Sequence, residues 1–226
     1  MNHLPNPNIH IHQLDWLQQR PPFPYAVIAA SVRRQQQVVV APLLPPDDEP
    51  RVLLPPLLVP IILEIGDPTR EGVLVRAVGF GWLEIAGAML RDPQIMYGVE
   101  PYVLEQLVAG GWKRAGADKV ILTPRSGDGG VDVYATFAKA GRIRLADQVK
   151  RYAPDHRVTL EEVLAMIGVL HVRKNVSKVL ITTTSEFAPG IAKDVELQRY
   201  VVTQQLELRD RSILLPWIEE LAKGLP

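Results

Sequence analysis

The chain has 226 residues, of which 47% are apolar, and its 25 basic residues are balanced by 25 acidic ones. This length and composition suffice for one full globular domain plus an extension, and the chain as a whole is not clearly basic, as many DNA-binding domains are. The absence of cysteine excludes disulfides, thiolate metal sites and cysteine nucleophiles, and it fits a cytoplasmic protein.

Proline sets the first part of the chain apart, because twelve of the 20 prolines lie within the first 60 residues. Residues 1–24 are predicted to form an irregular or extended arm. Short segments rich in Val, Ile and Leu follow, separated by turn clusters such as GDPTREG, and they predict strands. We therefore interpret residues 1–78 as a small, proline-rich, β-type N-terminal module. Its predicted strands are Tyr25–Val32, Gln37–Ala41, Arg51–Leu54, Leu57–Glu64 and Gly72–Ala77.

Neither a signal peptide nor a membrane span is predicted. The first residues have no basic region leading into an apolar run, which is the pattern of a secretory leader. The longest apolar stretch, residues 52–63, contains three prolines. It is too short for a membrane helix, which needs roughly 20 apolar residues. We therefore expect no membrane partner.

From residue 79 onward the pattern becomes that of an α/β domain, which we predict over residues 79–226. Thr159, followed three residues later by Glu162, forms a capping box that opens one of the helices. Helices are predicted over 80–92, from Pro101 to a stop at Gly110-Gly111, from Thr159 to about Arg173, from about Pro189, and over Ser212–Leu221. Strands are predicted over Lys119–Thr123, Val131–Phe137, Arg142–Lys150, Lys178–Thr184 and Val201–Leu208.

Two of these strands bring together the residues with the clearest chemical potential. Gln148 and Lys150 are two apart on one strand, so their side chains point to the same face of the sheet. A hairpin turn at residues 139–141 allows the preceding strand to place Asp132 beside them. A carboxylate, an amide oxygen and an ammonium group on one sheet face form a plausible site for metal-dependent cleavage of a phosphodiester.

Each of the three residue types has a role in such a reaction. Mg²⁺ or Mn²⁺ is bound by one or two carboxylates together with water and substrate oxygens, so we expect Asp132 and Gln148 to be metal ligands. The carbonyl group of Val149, between Gln148 and Lys150, is a candidate further ligand. Lys150 would orient or deprotonate the attacking water, or stabilise the negative charge of the transition state.

The order of the motifs resembles the Mrr-type restriction endonuclease catalytic domain, a branch of the PD-(D/E)xK nuclease superfamily in which the last motif is QxK. The motifs are GDGGVDV at 127–133, QVKRY at 148–152 and VLITTTSEF at 179–187, with a helix between the last two. The resemblance extends over roughly residues 82–220. It implies a restriction-endonuclease-like core, that is, a central mixed sheet flanked by helices.

The resemblance also implies function and partners. It implies a metal-dependent endonuclease that acts on double-stranded DNA, often in the restriction of modified foreign DNA, without a small-molecule cofactor. Glu105 falls where the family has a helix glutamate near the active site, so it joins Asp132, Gln148 and Lys150 as a candidate catalytic residue. A cut through both strands needs two active sites or one site used twice, and we therefore expect a homodimer.

Several alternatives remain open at the level of the sequence. Asp128 is either a second metal ligand or, more simply, a turn residue of the glycine-rich loop. The hydroxyl groups of residues 182–185 either bind phosphate oxygens or are solvated at a strand end. The same fold also serves junction-resolving and repair nucleases. A third interpretation is a non-catalytic DNA-binding module of a defence system that keeps the nuclease core as a scaffold.

Overall fold

A computed structural model of the chain describes residues 61–124, 129–138 and 141–224. The strands in these ranges are β1 (Leu63–Thr69), β2 (Gly72–Val78), β3 (Lys119–Leu122), β4 (Val133–Phe137), β5 (Ile143–Lys150), β6 (Lys178–Thr183) and β7 (Leu206–Arg209). The α-helices are α1 (Phe80–Arg91), α2 (Ile95–Gly98), α3 (Pro101–Arg114), α4 (Leu160–Val172), α5 (Val195–Val202) and α6 (Arg211–Lys223). A short 3₁₀ turn, Ile191–Lys193, precedes α5.

The seven strands form one mixed sheet, in which they lie side by side in chain order. Neighbouring strands from β1 to β5 are antiparallel, whereas β5, β6 and β7 are mutually parallel. Parallel neighbours need a crossover connection, and α4 and α5 lie within the two crossovers. The predicted α/β fold, a central mixed sheet flanked by helices, is confirmed.

Helices cover both faces of the sheet and divide the core into two clusters. Helices α1, α3 and α6 pack on one face, where Trp82, Leu104 and Trp217 are almost fully buried. Helices α4 and α5 pack on the other face, where Met166 and Leu197 are buried. Side chains alternate between the clusters along each central strand, so every strand position has a defined face.

The sequence predicted that the paired glycines of α3 would end this helix, but they lie inside it. The helix continues to Arg114, and Gly110 and Gly111 lie where α3 packs against two tryptophans. A Cβ on Gly110 would lie 2.4 Å from Cδ1 of Trp82, and one on Gly111 would lie 2.4 Å from Cη2 of Trp217. Close packing, rather than helix termination, requires glycine here.

The segment before β7 also differs from the prediction. Asp194 caps α5 by accepting hydrogen bonds from two backbone N–H groups, so this helix begins later than Pro189. Val201 and Val202 belong to α5, and Gln204, with a φ of 58°, turns the chain into β7. The strand therefore begins at Leu206 and not at Val201. The two β-branched residues Val201 and Val202 favour a strand, but they form the last turn of the helix that Asp194 caps.

Two positions depart from a simple alternation of apolar and polar faces. Val131 lies outside the regular part of β4 and is buried in the α4 cluster, opposite to the face of Val133. On α4, Leu160 and Leu164 are 40% and 51% exposed, whereas Met166 is buried. The capping box at the start of α4 is confirmed, with both reciprocal hydrogen bonds present.

The first described strands, β1 and β2, extend the sheet formed by β3 to β7. β2 hydrogen-bonds to β3, and β1 pairs with β2 through an irregular register. β1 continues through Gly66-Asp-Pro68 to Thr69, where a turn was predicted. Residues 1–60 lie outside the described residues, and so do their predicted strands; the domain boundary at residue 78 stays a prediction. No helix in the described ranges is long and apolar enough to cross a membrane.

Candidate active site

Asp132 is held at the start of β4 by both neighbouring strands. Its backbone N–H donates to the carbonyl of Asp147, and its carbonyl accepts from the N–H of Thr123, each over 3.0 Å. Its Oδ2 accepts the backbone N–H of Val149 over 2.6 Å. The last residue pair of the β4–β5 ladder is Val133 with Asp147. The carboxylate thus binds a β5 N–H that lies beyond the regular ladder, and it is fixed beside the Gln148–Lys150 segment.

Gln148 and Lys150 project from β5 towards α4, as their spacing predicts. The ammonium group of Lys150 lies 3.3 Å from the carboxylate of Glu162 on α4. Asp147, which directly precedes Gln148, points to the opposite face and contacts Trp112 of α3. The prediction that Gln148 and Lys150 share a face is therefore confirmed.

The side-chain oxygen of Gln148 is buried without a hydrogen-bond partner among the described residues. Its Nε2 lies against Gly130, where an added Cβ would come within 3.2 Å of it. Gly130 has a φ of +83° and Gly129 a φ of +68°, a backbone conformation that favours glycine. The glycine-rich loop can therefore turn here and approach the Gln148 amide closely. A buried acceptor without a donor costs roughly 1–3 kcal/mol, unless a ligand uses it.

This donor set fits a hard divalent cation. Such ions take oxygen ligands, and the buried Oε1 of Gln148 and the fixed carboxylate of Asp132 are both oxygen donors next to β5. The carbonyl of Val149 points to the same side of the strand as its N–H, which Asp132 accepts. The described residues contain no cluster of three acidic, histidine or cysteine side chains that could hold a metal.

Lys150 is part of a network of polar contacts that extends to the start of α4. Oε1 of Glu162 accepts from the hydroxyl of Tyr152 and faces the Lys150 ammonium, and Oε2 accepts the N–H of Thr159 over 2.8 Å. Partial burial pushes the pKa of Glu162 upward, but Thr159, Tyr152 and Lys150 together hold that pKa below its ordinary value. The sequence identified Glu162 only as a helix cap.

Residues 182–185 are buried, and the hydroxyl groups of the three threonines donate hydrogen bonds within the protein, whereas the buried Oγ of Ser185 has no hydrogen-bond partner among the described residues. Thr183 donates to the carbonyl of Lys150 over 3.0 Å, and Thr184 donates to the carbonyl of Tyr152 over 2.7 Å. Thr182 donates to Asp147 on the opposite face. Neither interpretation from the sequence is right for these three. They fasten the segment after β5 to β6 and thereby fix the backbone that carries Lys150.

A buried charged cluster, missed by sequence reasoning, lies behind β5. Asp147 is 1% exposed and accepts hydrogen bonds from the indole of Trp112 over 2.9 Å and from Thr182. Burial raises the pKa of Asp147 to about 6, although Arg209, Trp112 and Thr182 act in the other direction. The Arg209 guanidinium packs over Trp112 and Trp217, at 4.7 and 4.1 Å from the ring centroids. The sequence signal was an aspartate at an inward position of an otherwise apolar strand face.

Glu105 lies in the second turn of α3 and is half-buried. Ala109 and Trp112 follow it on the same side of the helix, and both are buried against the sheet. Arg151, directly after β5, donates a hydrogen bond to the carbonyl of Tyr97, in the segment before α3, over 2.8 Å. The last turn of α3 and the segment before the helix thus both contact β5 or the residue after it, while the catalytic role of Glu105 stays a prediction. Asp128 lies outside the described residues.

The seven-stranded mixed sheet and the helices on its two faces define an α/β protein. The family model of the Mrr catalytic domain, described as a restriction endonuclease, matches residues 96–218, more than half of the chain. The chain belongs to this family of restriction endonucleases.

Two further comparisons complete this result. Among solved structures, the chain is similar to the "DNA modification-dependent restriction endonuclease AspBHI", with 16% sequence identity and a TM-score of 0.41. The alignment covers 75% of this chain and 44% of that one, so the chain spans less than half the length of that enzyme. The comparison with curated proteins finds no match.

Proposed function

We propose that this chain is a metal-dependent endonuclease that hydrolyses phosphodiester bonds of double-stranded DNA, in restriction of foreign DNA. One observation carries the proposal: the Asp132 carboxylate is fixed at β5, where the buried Oε1 of Gln148 lacks a partner among the described residues and Lys150 shares its face. Family membership supports the nuclease activity. The metal, the substrate and a cytoplasmic location are parts of the proposal.

Each residue of the site would have a separate role in the hydrolysis. Asp132 and Gln148 would hold Mg²⁺ or Mn²⁺, and the ion would supply positive charge against the charge that develops on the phosphate. Lys150 would orient the attacking water and stabilise the same negative charge. Asp132 keeps its orientation through the N–H of Val149, so its carboxylate needs little rearrangement before reaction, and Thr183 fixes the backbone from which the Lys150 side chain extends.

Modified DNA is the substrate class that we propose to test first. The resemblance to Mrr-type domains implies restriction of modified foreign DNA, and the chain belongs to that family. We also propose that two copies act together, because one active site of this kind cuts one strand at a time. Residues 1–78 are proposed to select the target or to form the contact between copies.

Cleavage of defined plasmids tests the proposal. Purified protein should nick or cut DNA in the presence of Mg²⁺ or Mn²⁺, and EDTA should abolish the reaction. Plasmids with and without defined base methylation, and a four-way junction beside a linear duplex, distinguish restriction from junction resolution. Lys150→Ala and Asp132→Ala should each remove the activity, whereas Lys174→Ala, at an exposed position after α4, should leave it unchanged.

Two outcomes would contradict the proposal. Cleavage that survives both Lys150→Ala and Asp132→Ala, at unchanged thermal stability, would place the chemistry elsewhere. Tight duplex binding without cleavage under any divalent metal would instead identify a non-catalytic DNA-binding module.

A further inference from the structure

The Glu162 carboxylate lies where α4 and the end of β5 meet, and it binds more groups than a helix cap requires. Its Oε2 accepts from the backbone N–H of Thr159 over 2.8 Å and from the Thr159 hydroxyl over 3.2 Å, which completes the capping box. Its Oε1 is not needed for capping. That oxygen accepts from the Tyr152 hydroxyl and lies 3.3 Å from Nζ of Lys150.

The chemistry of capping separates these two roles. A capping box is formed equally well by glutamine, since only one side-chain oxygen must reach the N-cap N–H. The negative charge of Glu162 and its second oxygen therefore serve Lys150 and Tyr152. The Lys150 and Glu162 side chains are only 23% and 22% exposed, so the pair is partly shielded from water and salt.

Tyr152 holds Glu162 from the other side. A single hydroxyl fixes its backbone, because the N–H of Tyr152 donates to Oγ1 of Thr184 over 2.8 Å and that hydroxyl donates back to the Tyr152 carbonyl over 2.7 Å. Burial and the hydrogen bond to Glu162 raise the pKa of Tyr152 to about 12, so its hydroxyl stays a donor at neutral pH. Oε1 of Glu162 is thus located by a rigid neighbour, independently of Lys150.

We propose that Glu162 is a positioning residue for Lys150. It fixes the ammonium group on the face that carries Gln148, and it supplies the counter-charge that the neutral amide of Gln148 does not give. The strand places Lys150 only up to its Cβ, and four further rotatable bonds would otherwise let the ammonium group leave the site. The inference rests on the proposed function, since it assigns a role within the same nuclease site.

Three variants separate positioning from folding. Glu162→Gln keeps the capping box and removes the charge, Tyr152→Phe removes only the hydroxyl that orients Oε1, and Glu161→Gln changes the exposed neighbour on α4 as a control. Single-turnover cleavage at saturating DNA should fall by about tenfold or more in Glu162→Gln and by about threefold in Tyr152→Phe, because small displacements of a reacting group cost large factors in rate. DNA affinity and the thermal midpoint should stay close to those of the unchanged protein, and Glu161→Gln should match it throughout.

A second readout requires neither metal nor DNA. Relaxation of the Lys150 side-chain ammonium, measured by ¹⁵N NMR, should show an ordered group in the unchanged protein and a mobile one in Glu162→Gln. An equally ordered ammonium in that variant, or cleavage at the unchanged rate, would overturn the inference. If the unchanged protein cleaves no DNA, the proposed function fails, and the NMR comparison still decides whether Glu162 positions Lys150. If Glu162→Gln does not fold, Tyr152→Phe decides in the same two measurements.

Discussion

The indole N–H of Trp112, on α3, donates a 2.9 Å hydrogen bond to the buried carboxylate of Asp147, on β5. This bond joins the helix that carries Glu105 to the strand that carries Gln148 and Lys150. The Asp147 carboxylate is nearly inaccessible to water, so its donors must come from the protein. The strand of the candidate site therefore depends on a contact made on the opposite face of the sheet.

Replacing Trp112 by phenylalanine tests this contact. The variant keeps an aromatic ring but removes the donor, and we expect the free energy of unfolding at pH 7.5 to fall by about 1.5–3 kcal/mol, as for other hydrogen bonds to charged groups. Urea unfolding measures this loss. Trp82→Phe is the matched control, because the Trp82 indole donates to the neutral carbonyl of Leu107, and its loss should be smaller. Equal losses would show that the charge of Asp147 is unimportant.

Asp147 should also make stability depend on pH. Its pKa is about 6 in the folded protein against an ordinary value of 3.8, so the folded state binds more protons between these values. Stability should therefore fall as the pH rises from about 4 to about 6 and should not change further through this group above that range. A shift of about two pKa units limits the loss of unfolding free energy through this group to roughly 3 kcal/mol.

The variant Asp147→Asn isolates this contribution. It removes the titrating group next to Arg209, and the difference in unfolding free energy between the two proteins should change across pH 4–6 and be constant above it. Urea denaturation at pH 4.5, 6 and 7.5 provides the three values. A difference that stays constant over the whole range would mean that Asp147 titrates with an ordinary pKa.

The glycines of α3 give a prediction on packing. Gly110→Ala and Gly111→Ala would each place a Cβ 2.4 Å from a buried tryptophan ring, and we expect each to destabilise the protein by about 1–3 kcal/mol. Gly168→Ala, in α4, is the control, since no atom lies within 4 Å of its added Cβ. Alanine favours the helix there and should stabilise by about 0.5–1 kcal/mol. Thermal unfolding of the three variants should show the opposite signs.

Metal affinity should be weak in the absence of DNA. Asp132 is the only carboxylate proposed as a ligand, and Gln148 stands where the ExK branch has a second one. DNA phosphate oxygens would complete the set, so calorimetry with an uncleavable DNA analogue should show Mg²⁺ binding strengthened by about tenfold or more. Gln148→Glu should strengthen binding to the free protein. Tight binding by the unchanged protein without DNA would contradict this account.

The arrangement on the sheet could be predicted because it follows from local geometry. Side chains alternate along a strand, so the spacing of Gln148 and Lys150 sufficed to place them on one face, and the capping residues Thr159 and Glu162 sufficed to begin α4. The family resemblance, carried by ordered short motifs, is confirmed by the match to residues 96–218. These features depend on residues close together in the chain.

Only the tertiary structure decided which distant groups meet. A pair of glycines such as Gly110-Gly111 is typical of a helix end. Here the helix continues, and the two tryptophan rings packed against the pair explain why glycine is needed inside it. Nothing near Asp147 in the sequence announces Trp112, 35 residues away, as its donor. The capping residue Glu162 meets Lys150 in the same way, because it reaches that lysine only when the crossover returns α4 to the end of β5. Burial and contact are set by how elements pack, and local spacing does not encode that.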